Sequence, residues 1–297
     1  MAKGFVENFV DSQPWLDSAS DAIQPVINNI FNSTGQAGRI AKDALNGVWL
    51  GHSLHSAISD VPIGAWTTAQ FLDVLSAGRG DDPGLDNAAD FAVGLGVAGG
   101  VAAAVTGWTD WSEIGGTQRR MGLLHALMNV TGLLLNSGSL IMRLSGGNRG
   151  TARSLSAAGY VASFAAAYVG GDLVYRKGQA VDRDAWIDGP DKYTDIAASD
   201  ELADGKMHKY DVNNVPIVLI RHGDGLHAFA GTCPHFGGPL WEGKLDGHCV
   251  TCPWHGSQFD ISNGRLLHGP STHPIPCYDV RERNGRVQIR LEGTAGG

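Results

Sequence analysis

Near the C-terminus, two cysteines and two histidines fall in a pattern that leaves few folds open. The boxes are Cys233-Pro234-His235-Phe236-Gly237-Gly238 and Cys252-Pro253-Trp254-His255-Gly256-Ser257, with sixteen residues between His235 and Cys252. Each box offers one thiolate and one imidazole, as C-x-H and C-x2-H. Two Cys and two His can bind a single zinc, or they can hold a [2Fe–2S] cluster with both Cys on one iron and both His on the other. Zinc modules usually pair like ligands in tight knuckles. Mixed boxes suit a rhombic cluster clamped from two loops, because each loop then reaches both irons.

The surrounding residues read as antiparallel β structure. Val215 to Arg221, the turn Asp224-Gly225 and Leu226 to Ala230 predict one hairpin; Tyr278 to Arg283, Asn284-Gly285 and Arg286 to Leu291 predict another. The two boxes lie between them.

Box sequence and hairpin order together resemble the Rieske family over about residues 193–292. The resemblance implies that Cys233 and Cys252 hold an inner iron and His235 and His255 an outer one. Gly237, Gly256 and the box prolines then let the loops close over the sulfides. Members of the cytochrome bc type carry an extra Cys in each box and link the two. Gly238 and Trp254 stand at those positions here, so that disulfide is not expected, and Cys249 and Cys277 read as ordinary thiols. Ser257 matches a serine whose hydroxyl donates to a bridging sulfide. Phe259 stands where high-potential members have a donating Tyr. One donor kept and one lost predicts a potential below the respiratory type, within roughly −150 to +300 mV. Gly269-Pro270-Ser271-Thr272-His273-Pro274 resembles the family's cluster-covering proline loop, with His268 and His273 read as surface residues.

The 297 residues have room for two domains, and the formal charge of −8 argues against a nucleic-acid partner. Four cysteines, two of them assigned to the cluster, make no disulfide framework and predict a reducing compartment. The N-terminus shows no twin-arginine or Sec pattern.

Residues 1–46 read as amphipathic helices, with Ile23, Val26, Ile27, Ile30 and Phe31 at helical spacing. They predict helices packed on the same bundle or on a second copy, with an interfacial membrane helix as the alternative. Residues 47–176 hold four apolar stretches. The first, 55–78, carries Asp60 and Asp73; Phe91 to Trp108, Met121 to Met142 and Ser154 to Gly171 carry no charge. Runs of this length predict a four-helix transmembrane bundle, and Gly96-x-x-x-Gly100 is a close-packing pattern. Trp49, Trp66, Trp108, Trp111 and Tyr175 suggest an aromatic belt. The motifs Gly51-His52-Ser53-Leu54-His55, Asp60-x-Pro62-Ile63-Gly64 and Thr106-Gly107-Trp108-x-Asp110 resemble a family of four-helix membrane proteins of uncharacterised function (DUF2231), which implies no known activity. Residues 177–192 read as a linker, and 193–297 as the Rieske domain.

The expected fold is therefore α + β, multidomain. His52, His55 and His125 are candidates for b-type haem or quinone binding, or for capping helix ends. Lys and Arg in the loops place the Rieske domain on the cytoplasmic side of a multi-pass membrane protein. The predicted function is a membrane-anchored one-electron carrier between redox donor and acceptor proteins and the membrane, with quinone as a possible acceptor. The alternatives are a ferredoxin feeding an oxygenase and a redox sensor. An oxygenase subunit is not expected, since only 42 residues follow His255 and such enzymes need a further mononuclear iron site.

Overall fold

The computed structural model describes residues 4–187, 189–223 and 225–291. It forms two compact units, a helical one running to Gly47 and again over His52–Gly178, and a β one from Gln179 onward that also takes in Val48–Gly51.

The helical unit contains α1 (Phe5–Asp11), α2 (Trp15–Asn32), α3 (Gln36–Asn46), α4 (Leu54–Gly78), α5 (Pro83–Trp111), α6 (Gly116–Leu144) and α7 (Arg149–Gly171), the last extended by a π turn over Asp172–Arg176. Helices α4, α5 and α7 start at side-chain caps, whereas α6 starts at Gly115 without one. Asp82 Oδ1 accepts from the Gly84 and Leu85 N–H groups, and Asn148 Oδ1 accepts from Thr151 N–H at 2.8 Å. α4 lies along α5 and α6 along α7, with α5 also against α6 and α4 against α7.

The expected four-helix count is corrected. Seven helices occupy the described part of this unit, and three of them, α5, α6 and α7 with its extension, are long and apolar enough to cross a membrane. α4 dilutes its apolar residues with Asp60, Gln70 and Asp73. The charge of Asp73 is explained by packing: it is buried and paired with the fully buried Arg143 guanidinium, which also donates to Asp90 at 2.9 Å.

Small residues fill the interior of these helices. Ala69, Ala92, Ala103, Ser139, Ser156 and Ala166 are buried, while Phe71, Phe91, Leu134, Ile141 and Phe164 face outward. Gly96 shows why the spacing matters: a Cβ there would lie 2.3 Å from the indole nitrogen of Trp66. Trp66 and Trp111 are therefore interior residues and not part of a belt, whereas Trp49 and Tyr175 are exposed. α2 packs by polar contacts. Gln24 donates to the carbonyls of Trp111 and Ile114, both at 2.9 Å, while Val26 and Ile30 of its apolar stripe point outward.

The β unit has two antiparallel sheets. The larger has the order β1-β10-β9-β4-β3-β2, built from β1 (Thr194–Ala198), β2 (His208–Val212), β3 (Val215–His222), β4 (Gly225–Ala230), β9 (Cys277–Arg283) and β10 (Arg286–Leu291). The smaller runs β5 (Lys244–Asp246), β6 (Cys249–Thr251), β7 (Gln258–Asp260) and β8 (Leu266–His268) in sequence order. Both expected hairpins are present. β9 and β10 pair Arg283 with Arg286 across Asn284 and Gly285, which adopt φ of 52° and 72°, the left-handed pair that a two-residue turn needs. In the β3–β4 hairpin Gly225 is already in the strand and pairs with His222, one residue off the expected Asp224-Gly225 turn; Asp224 lies outside the described residues. One core of Val218, Ile220, Phe229, Leu240, Val250 and Phe259 includes the two box cysteines. The loops after β4, β6 and β8 carry the two boxes and the proline segment.

Candidate metal centre

The two boxes fold into loops with the same backbone pattern. In the first, Gly237 N–H donates to Cys233 O at 2.8 Å and Cys233 N–H to Gly238 O at 2.9 Å. In the second, Gly256 N–H donates to Cys252 O at 3.1 Å and Cys252 N–H to Ser257 O at 2.8 Å. Gly237 and Gly256 both take φ of 78°, a left-handed conformation that favours glycine at the equivalent point of each turn. The loops pack closely: a Cβ on Gly238 would come within 2.7 Å of Cys252 Sγ.

This pairing sorts the four side chains by depth. Cys233 and Cys252 are 1% and 3% exposed, and their mutual interaction pushes the Cys233 thiol up and the Cys252 thiol down. His235 and His255 are half-buried, with ring centroids 5.0 Å apart and planes perpendicular. Phe236 packs edge-on against both imidazoles. Two thiols behind two imidazoles fit a two-iron cluster with a sulfur-bound inner iron and a nitrogen-bound outer one.

Ser257 is fully buried. Its Oγ accepts the Ser271 backbone N–H at 2.9 Å, leaving its own hydrogen available for another acceptor. Ser271 belongs to the proline segment, and its Oγ donates to His273 O at 3.0 Å. Phe259 is buried in the core of the smaller sheet and brings no hydroxyl. Cys249 and Cys277 are in no disulfide among the described residues, and His268 and His273, expected at the surface, are half-buried.

Nothing in the local pattern singles out Asp184. It lies in the stretch read as a linker, yet that stretch packs into the β unit: Arg183 N–H donates to Pro234 O at 3.0 Å, beside the first box. Asp184 is buried, and neither carboxylate oxygen has a hydrogen-bond partner among the described residues. Burial, reinforced by Asp182, pushes its carboxyl up to about 8. Burial, with Asp184 adding to it, likewise lifts the Tyr278 phenol to about 12.

In the helical unit, His55 on α4 and His125 on α6 come together, with ring centroids 6.1 Å apart. His52 sits in the exposed turn before α4 and does not join them.

The Rieske [2Fe-2S] domain model matches residues 192–279, and that of a predicted membrane protein family, DUF2231, matches residues 51–183. Ferredoxin CarAc of Metapseudomonas resinovorans is 31% identical over 33% of this chain and 92% of its own length. The ferredoxin component of the alkene monooxygenase system of Xanthobacter autotrophicus is 34% identical over 34% and 83%. Apoptosis-inducing factor 3 of mouse is 33% identical over 95 residues, but the chain spans only 16% of that protein's length. Among solved structures, the ferredoxin of carbazole 1,9a-dioxygenase from Nocardioides aromaticivorans is 24% identical, with a TM-score of 0.33, covering 34% of this chain and 99% of that one. The fold and the paired loops thus define an iron–sulfur protein. The chain belongs to the Rieske [2Fe–2S] family through its β unit, fused to an N-terminal DUF2231 domain, and a Rieske domain implies a [2Fe–2S] cluster.

Proposed function

We propose that the chain is a membrane-anchored one-electron carrier in which Cys233 and Cys252 hold the inner iron of the cluster and His235 and His255 the outer one. The observation that carries this reading is the matched pair of loops, which sets two buried thiols behind two half-buried imidazoles. The cluster, when bound, supplies one-electron transfer, and the protein supplies burial, hydrogen bonds and orientation. The core around Cys233 and Cys252 keeps water from the sulfurs. The half-buried imidazoles, beside the exposed Trp254, form the face a redox partner meets. Ser257, fixed by Ser271, holds its hydroxyl ready for a sulfide.

Anchoring rests on three apolar helices whose large side chains point outward and whose small ones point inward. The β unit then lies on the cytoplasmic side, with quinone as the membrane acceptor. The names of the bacterial relatives, ferredoxin components of oxygenase systems, favour a second reading in which the acceptor is an oxygenase.

Full-length protein, purified anaerobically from the membrane fraction, tests the main reading. Two irons per chain and a Rieske-type EPR spectrum on reduction are expected, with His255→Cys changing that spectrum and lowering the potential. Zinc without iron would overturn it. Reoxidation of the reduced protein by added quinone, set against reoxidation by a purified oxygenase, separates the two acceptors.

A further inference from the structure

The helical unit carries a second constellation that electron transfer through the Rieske domain does not use. We propose that His55 and His125 are the two axial ligands of a b-type haem held inside that unit. α4 and α6 each pack against both α5 and α7, so the two histidines enter one interior from opposite sides. His55 Nδ1 is 2.9 Å from the carbonyl oxygen of Ala103 on α5, and His125 Nδ1 is 2.8 Å from that of Ala166 on α7. A carbonyl only accepts, so each Nδ1 carries the hydrogen and each Nε2 keeps its lone pair. This is the tautomer of a metal-bound imidazole oriented by a backbone carbonyl. Since the two nitrogens of an imidazole point apart, each Nε2 is directed away from the carbonyl that its Nδ1 meets.

The separation fits one metal between the rings. Two imidazole nitrogens on opposite sides of an ion, each about 2 Å from it, place the ring centroids about 6 Å apart. The observed centroids are 6.1 Å apart, with ring planes at 87°. Glycine stands where each ring crosses the next helix. A Cβ on Gly107 would lie 2.8 Å from the His55 ring, and one on Gly170 would lie 2.9 Å from the His125 ring.

A purely structural role accounts for the Nδ1 bonds but not for two imidazoles on different helices held with their ring centroids 6.1 Å apart. The Asn129 amide lies 3.1 Å from His125 Nε2, but it also donates to His125 O at 3.1 Å and so keeps a partner when iron takes the nitrogen. Two ligands are too few for a bare ion. Among the described residues no third His, Cys, Asp or Glu joins the pair, whereas a haem brings its own four equatorial nitrogens.

The test is titration of the full-length protein in detergent with hemin, together with the spectrum of protein made in haem-replete cells. One haem per chain is expected, with the spectrum of a six-coordinate low-spin centre. His55→Ala and His125→Ala should each abolish that spectrum, while His125→Met should keep the haem and raise its potential. The Rieske EPR signal should persist in every variant, which separates failure here from failure of the cluster assignment. Absence of saturable hemin binding by the wild type overturns the proposal, whatever the variants do. So does equally tight binding by the double alanine variant, or recovery of stoichiometric quinone or zinc in place of haem.

Discussion

In the β unit Phe229 and Phe259 are fully buried, whereas in the helical unit Phe91 and Phe164 are 74% and 65% exposed. The interiors are reversed as well. Ile217, Leu219 and Ile220 are fully buried in the β unit, while Ser139, Asn136 and the guanidinium of Arg143 are buried among the helices. A water-solvated domain gains stability by removing large apolar side chains from water. In lipid that gain vanishes, and close packing of small residues with satisfied polar groups holds helices together. The contrast is the one expected of a β unit that meets water and a helical unit that meets lipid, as the proposed anchoring requires.

The comparison breaks most readily at its two interiors. Phe229→Ala is expected to cost about 3–5 kcal/mol in the β unit, as for large-to-small changes in a packed core. Arg143→Ala should cost the helical unit a similar amount, about 3–5 kcal/mol, because Asp73 and Asp90 both lose the fully buried guanidinium and Asp73 keeps only the longer contacts to Arg149 and Arg153 at 3.6 and 3.5 Å. Unfolding followed through the cluster absorbance should register the first change, and helical circular dichroism in detergent the second. If Arg143→Ala is neutral, the charged interior contributes nothing to the helical fold.

A smaller effect tests the outer surface. Phe164→Arg should disfavour membrane insertion by about 2.5–3.5 kcal/mol, the cost of Arg near the middle of a spanning helix. The readout is the fraction of chain recovered in the membrane. A variant that stays fully inserted, or that yields more water-soluble protein, would show that this face meets water.

The two units also differ in what their sequences disclose. The boxes at 233–238 and 252–257 are legible because ligand spacing and turn glycines are local, and the hairpins because alternation and an Asn-Gly turn are local. The apolar stretch from 55 to 78 reads like the other three because its Asp73 is paired with Arg143, which lies seventy residues away in sequence. The aromatic belt failed for the same kind of reason: whether Trp66 faces lipid or Gly96 depends on how α4 meets α5. Asp184 was invisible, since a polar stretch with turn residues reads as a linker whether or not it packs.

That residue offers a titration within the β unit. Its folded carboxyl sits at about 8, raised by burial and by Asp182, against 3.8 for the ordinary group. A raised carboxyl means that the folded state holds a proton which the unfolded state releases. Its contribution is therefore complete below about pH 4 and is lost as the pH rises to about 8, by at most about 1.4 kcal/mol per pH unit. Asp184→Asn removes the dependence. The stability difference between wild type and variant, followed by denaturant unfolding of the β unit, should grow across that window in favour of the variant. A flat difference would show that the carboxylate finds a partner or water.

The smallest effect separates tuning from architecture. Ser257 Oγ already accepts from the Ser271 N–H, so its remaining hydrogen is aimed by a bond that the proline segment supplies. A donor to a sulfide stabilises the reduced, more negative cluster over the oxidised one. If that preference is about 1 kcal/mol, Ser257→Ala lowers the one-electron potential by roughly 40 mV. Iron content and fold should be unchanged, because Ala fills the same buried position and loses only the hydroxyl. Protein-film voltammetry on the full-length protein reads the shift directly. An unmoved potential would mean that the Ser257 hydrogen points elsewhere, and that Ser271 braces the loop without tuning the cluster.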